Sequence, residues 1–79
     1  MRQWEKYISI DPEIRFGKPH IKGTRITVQD ILSWLASGMS NAEILVDFPQ
    51  LRQDQILAAL AFSADKESML KIVAAWNFY

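Results

Sequence analysis

The residues able to do chemistry in this chain are few, and their spacing favours binding over catalysis. A single histidine, His20, stands between Pro19 and Ile21, and cysteine is absent. Histidine in that setting packs or hydrogen-bonds far more often than it catalyses. Asp11 and Glu13 flank Pro12 with no base or nucleophile beside them, so Asp11 suits turn chemistry better than general acid–base work. No glycine-rich phosphate loop and no His–carboxylate spacing for a metal occurs, so no enzyme, cofactor or metal site is expected. Cationic and amide groups remain. Lys18, Lys22 and Arg25 could hold phosphates, while Arg52, Gln53 and Gln55 could read bases, since arginine pairs with guanine and glutamine with adenine. Asp54, among the latter, repels phosphate.

Residues 17–28, GKPHIKGTRITV, carry the local instructions that would position the basic set. Cations alternating with apolar residues suggest a period of two, hence an extended segment. Gly17 and Pro19 imply a turn, residues 20–22 a short strand, Gly23 a bend, and Thr27 the N-cap of a helix with Asp30 at its third position. Residues 4–10 form a second β-prone run, ended by Asp11 and Pro12. Such a strand must pair with the one near Ile21, with a second copy, or with both, because a lone ribbon is marginal.

From Val28 the period becomes helical. Val28, Ile31, Leu32 and Leu35 mark a first helix over residues 28–37, and Gly38 sits where a C-terminal cap belongs. Ser40 and Glu43 form a capping box for a short second helix, which should turn Ala42, Leu45 and Phe48 inward and end before Pro49. A third helix begins near Gln53 and should bury Ile56, Leu57, Leu60 and Ala61, although Arg52 is a poor N-cap. No glycine or proline follows Pro49, so this helix should extend to about Ala75, its apolar stripe broken at Asp65 and Lys66. Beyond the break, Met69, Ile72, Val73 and Trp76, followed by Phe78 and Tyr79, have an interface composition and are the candidate partner-binding set. The alternative is that this stripe folds back beside Trp4 and Tyr7.

The fold class expected is therefore mainly α with short N-terminal strands around a three-helix helix-turn-helix core of homeodomain-like or winged-helix-like plan. One domain accommodates all 79 residues: a basic arm over residues 1–26, the helical core over 27–66, and a helical extension over 67–79. The net charge is zero but polarised. Residues 1–26 hold six cations and three anions, giving +3, and residues 27–79 hold three cations and six anions, giving −3. A dimer would double the basic face. Without cysteine, disulfides and thiolate metal sites are excluded, and no apolar run approaches the ~20 residues needed to cross a bilayer, so a cytoplasmic protein is expected.

The phrases GKPHIKGTRITV, SGMSNAEI, DFPQL and QILAALAF resemble the family numbered 433 among domains of unknown function, over about residues 8–67. Gly17, Pro19, Ile21, Gly23, Thr24, Arg25, Val28, Gly38 and Pro49 carry the likeness. The resemblance implies a bacterial or archaeal antitoxin-like helix-turn-helix protein, dimeric through its N-terminal strands and often encoded beside a PIN-like ribonuclease toxin. Such a protein would bind the toxin and repress its own operon by contacting operator DNA. The family has no catalytic residues to carry over, and its GTR phrase suits structure: Gly23 for a bend, Thr24 for a local hydrogen bond, Arg25 for an internal ion pair. The sequence departs at Arg52, where a hydroxyl residue such as threonine is usual. The competing expectation is a non-catalytic interaction module that does not bind DNA.

Overall fold

The structure of the protein is a computed structural model, which describes the backbone over residues 3–77 and side chains over residues 4–66. A single turn of 3-10 helix, Gln3–Lys6, leads into strand β1 (Ile8–Ser9). A turn at Arg15–Gly17 precedes strand β2 (His20–Ile21), and helices α1 (Val28–Ala36), α2 (Asn41–Asp47) and α3 (Gln53–Asn77) follow. The expected mainly helical domain with short N-terminal strands is what is found.

The strands pair antiparallel, with Ile8 opposite Ile21 and Ser9 opposite His20. The first strand is shorter than its β-prone run because Trp4 is wanted elsewhere. Its ring meets Phe62 of α3 edge-on, with centroids 4.7 Å apart, and its indole N–H donates to Asp65 at 2.6 Å. A 3-10 turn closed by the Tyr7 amide on the Trp4 carbonyl allows that reach. Tertiary packing thus overrides strand propensity.

After β2 the chain reverses tightly. The Ile21 amide bonds to the Ile26 carbonyl at 2.8 Å, and Gly23 takes φ +81°, as the bend requires. The Thr24 hydroxyl donates to the Ile21 carbonyl and accepts from the Ile26 amide, which is the local role expected of it. Thr27 then caps α1 in a full capping box: its hydroxyl accepts the Asp30 amide at 2.9 Å, and Asp30 accepts the Thr27 amide at 3.1 Å. α1 ends in a Schellman motif, with the Gly38 amide on Leu35 and the Met39 amide on Trp34. Ser40 and Glu43 form the second capping box.

Two expectations about helix faces are corrected. On α2 the fully buried residue is Ile44, whereas Ala42 is exposed and Leu45 and Phe48 are half-buried. Trp34 of α1 covers Phe48, their rings stacked at 4.0 Å, and this contact sets the roll of the short helix. On α3 the buried face is Ile56, Ala58, Ala59 and Phe62, while Leu57 and Leu60 are 53% and 40% exposed and Ala61 is half-buried. The run ILAALAF is apolar nearly all round, so periodicity alone does not choose its inward face. Trp4 and α1 choose it, with Phe62 filling the space between them and the alanines allowing close approach.

The core is dominated by Ile8, Ile21, Ile31, Ile44 and Ile56, joined by Leu51 and Phe62. His20 is buried with them, so it packs rather than working at the surface, and its Nδ1 has no hydrogen-bond partner among the described residues. α3 runs on to Asn77, a length of about 37 Å at 1.5 Å per residue. The side chains of Met69, Ile72, Val73 and Trp76 lie outside the described residues, as do Phe78 and Tyr79 altogether. Among the described residues no helix is long and apolar enough to cross a membrane.

Candidate binding surfaces

Three surfaces emerge: the basic arm, the start and outer face of α3, and a groove between α1 and α3. In the arm, the ion pair expected of Arg25 belongs instead to Arg15. The Arg15 guanidinium donates to the Arg25 carbonyl at 2.8 Å and to Asp30 at 3.0 Å, so Arg25 contributes its backbone and leaves its side chain exposed. Burial raises the Asp30 carboxyl, but the Thr27 amide and the Arg15 guanidinium outweigh it and hold the group below the usual carboxylate range. Lys18 and Lys22 are also exposed, and among the described residues no carboxylate pairs with Lys18, Lys22 or Arg25. They are free for an anionic partner.

The Arg15 clasp stabilises an uncommon backbone. Arg15, Phe16 and Gly17 take φ values of 49°, 60° and 80°, three successive residues in the left-handed region. Only glycine adopts it without penalty, and the cost is roughly 1–2 kcal/mol for each of the other two. The result is a phenylalanine 96% exposed to solvent. Nothing in the sequence pattern flags Phe16, because a three-residue left-handed turn containing a single glycine has no composition signature.

At the start of α3, the structure brings together Arg52, Asp54, Gln55 and Tyr7. Gln55 accepts the Arg52 backbone amide at 2.7 Å, Arg52 pairs with Asp54 at 3.2 Å, and Tyr7 donates to the other Asp54 oxygen at 3.1 Å. Burial raises the Asp54 carboxyl, yet the hydrogen bonds from Arg52 and Tyr7 and the Arg52 charge bring it below its ordinary value. Two of the three candidate base readers therefore spend polar groups on their own helix terminus. Gln53 is exposed, with no side-chain hydrogen bond among the described residues. Tyr7 itself is tied into the arm, its carbonyl accepting the Lys22 backbone amide at 2.9 Å.

Past that terminus, α3 turns Leu57 and Leu60 outward, with Ala64 exposed on the same face. On α2, Val46 is 78% exposed. The groove of about 510 Å³ lies between α1 and α3, walled by Val28, Leu32, Ala36 and Phe62 and rimmed by Gln29, Ser33, Ser63 and Lys66, with Pro19 at one end. Among the described residues no group of three or more His, Cys, Asp and Glu could hold a metal ion.

The fold recurs in a solved structure. The crystal structure of a DUF433 member protein from Anabaena variabilis ATCC 29413 superposes with a TM-score of 0.76 and is 24% identical, over 90% of this chain and 70% of that one. No curated protein matches the chain. Residues 8–63, most of the chain, with both strands and the helical core up to Ser63, match the family described as "Protein of unknown function (DUF433)", and the chain belongs to that family.

Proposed function

We propose that this protein is a non-catalytic antitoxin-class binder that captures a PIN-like toxin through the outer face of α3 and acts as a homodimer. The observation that carries this reading is the outward display of Leu57 and Leu60 on the helix that, in a helix-turn-helix, would face the major groove. A base-reading helix presents polar edges there, whereas exposed leucines beside a self-satisfied terminus suit an apolar protein surface. The candidate set Met69, Ile72, Val73, Trp76, Phe78 and Tyr79 would extend that contact along the chain. The protein supplies no chemistry and inhibits by occupying the approach to the toxin's active site.

The test is co-expression of the tagged chain with the products of its neighbouring genes, followed by purification in moderately high salt. A stoichiometric neighbour that is toxic when expressed alone is the expected result. Leu57→Asp should abolish its capture without lowering the melting temperature, and deletion of residues 69–79 should weaken it. Capture at full affinity by Leu57→Asp would sink the α3 assignment.

Operator binding is a second reading, favoured by the exposed Lys18, Lys22 and Arg25 with no carboxylate partner among the described residues. These would hold phosphate, so alanine at Lys18 or Lys22 should weaken binding to all sequences and reduce its salt dependence. Arg52→Ala should leave sequence selectivity intact, because Arg52 is engaged with Asp54. DNA affinity unmoved by the lysine changes would leave the third possibility, an interaction module that never contacts DNA.

A further inference from the structure

Residues 15–25 hold four cations and no anion, and at their head stands the most exposed large apolar side chain among the described residues, Phe16. At 96% exposure neither face of its ring is covered, and its backbone is one that phenylalanine adopts only under constraint. The fold thus holds a strained, uncovered ring that contributes nothing to its own packing. Arg15 assembles a surface around that ring. Phe16 follows it in the chain, its carbonyl accepts the Lys18 amide at 3.2 Å, and its guanidinium donates to the Arg25 carbonyl at 2.8 Å. Arg25 meets Lys22 in turn. The Ile21 amide donates to Ile26 and the Val28 amide to Pro19, with His20 opposite Thr27, so this hairpin brings Lys22 and Arg25 to the two sides of its tip. Arg15 spends its charge on Asp30, while Lys18, Lys22 and Arg25 stay exposed with no carboxylate partner among the described residues.

We propose that this surface binds single-stranded nucleic acid, with an unpaired base stacked on Phe16 and the flanking phosphates held by Lys18, Lys22 and Arg25. An open aromatic face bordered by cations suits a single strand, whose bases offer the π-faces that a duplex keeps stacked on one another. On an intact duplex the cations alone would engage, and the ring would have no partner. A lipid surface fits less well. Asp11 and Glu13 lie between the exposed Ile10 and Phe16 in the same loop, and insertion of those two side chains would carry the carboxylates into anionic headgroups. A strand lying along residues 16–25 avoids them. The inference shares its cations with the operator reading but depends neither on that reading nor on a toxin.

Fluorescence anisotropy of the full chain with a labelled oligothymidylate of about ten nucleotides tests it, with the corresponding duplex and polyglutamate as competitors. Saturable binding is expected at about 50 mM salt, weakening as salt rises. Phe16→Leu keeps an apolar side chain without a π-face and should weaken binding by about fivefold to 150-fold, whereas Phe16→Trp should bind at least as tightly as the wild type. Neither change touches the core, because Phe16 is uncovered. Alanine at Lys18, Lys22 or Arg25 should each reduce the slope of log affinity against log salt by about 0.7, the share of one phosphate contact on a single strand. Oligouridylate titrated in parallel tells RNA from DNA, and tighter binding of either supports the proposal. A wild-type chain that leaves the strand unbound, a Phe16→Leu variant that binds it normally, or polyglutamate that competes as well as the strand itself would overturn it. So would a duplex bound as tightly as the strand and indifferent to Phe16, which would return these cations to the operator reading. No partner protein enters the assay, so failure here is distinct from failure to capture a toxin.

Discussion

The two N-termini at α1 and α3 are built by opposite means. At α1, a buried threonine gives and receives in a full capping box, and Arg15 reaches across from a separate turn to join it. At α3, only the returning half of such a box exists, from Gln55 to the Arg52 amide, and Arg52 offers no acceptor to the first turn. The first junction is locked by contacts distant in sequence, and the second is satisfied within four residues, with Tyr7 alone arriving from the arm. The difference separates architecture from display. Polar chemistry in the arm holds the fold and a strained turn in place, while the helix with the thriftier start presents an apolar face.

The sharpest way to break that contrast is to remove one apolar residue from each side. Ile21→Ala, at a fully buried position in the arm, should cost about 2–5 kcal/mol in urea unfolding, and Leu57→Ala on the display face should stay within about 0.5 kcal/mol. Equal losses would mean that the outer face of α3 is part of the core. Next in size, Thr27→Ala should cost about 1–2 kcal/mol, near the upper end for a capping residue because the hydroxyl's partner is left in a buried junction.

Acid should act on the α1 end through Asp30. Its folded carboxyl titrates below the unfolded value of ~3.9, so between the two the unfolded chain binds more protons. The stabilisation is therefore complete above about pH 4–5 and disappears as pH falls through the folded value. Asp30→Asn keeps an oxygen for the Thr27 amide but cannot titrate, and its melting temperature should fall less steeply between about pH 5 and pH 2 than that of the wild type. The smallest expected effect is a gain: Arg52→Thr should add a side-chain acceptor at α3 and raise stability by about 0.5–1 kcal/mol, offset in part by loss of the exposed Arg52–Asp54 pair. A decrease would show that the arginine pair matters more than the cap.

Much of the frame was legible in the residues themselves. Thr27 with Asp30, Gly38, Ser40 with Glu43, and Gly23 with Thr24 are local devices whose hydrogen bonds close within four residues, and each is found where its chemistry predicts. That the short strands need a partner was legible too, but of the partners left open the tertiary structure chose β2 for β1. Sequence decided the caps and the bend because short-range bonding leaves one satisfactory partner. The roll of α2 and α3, the exchange of Arg25 for Arg15 at Asp30, the shortening of β1 and the exposure of Phe16 were decided by tertiary structure. In each, several residues of the same type compete, as in ILAALAF or among the arm's arginines, and only long-range packing around Trp4, Phe62 and Trp34 or the clasp on Asp30 selects one.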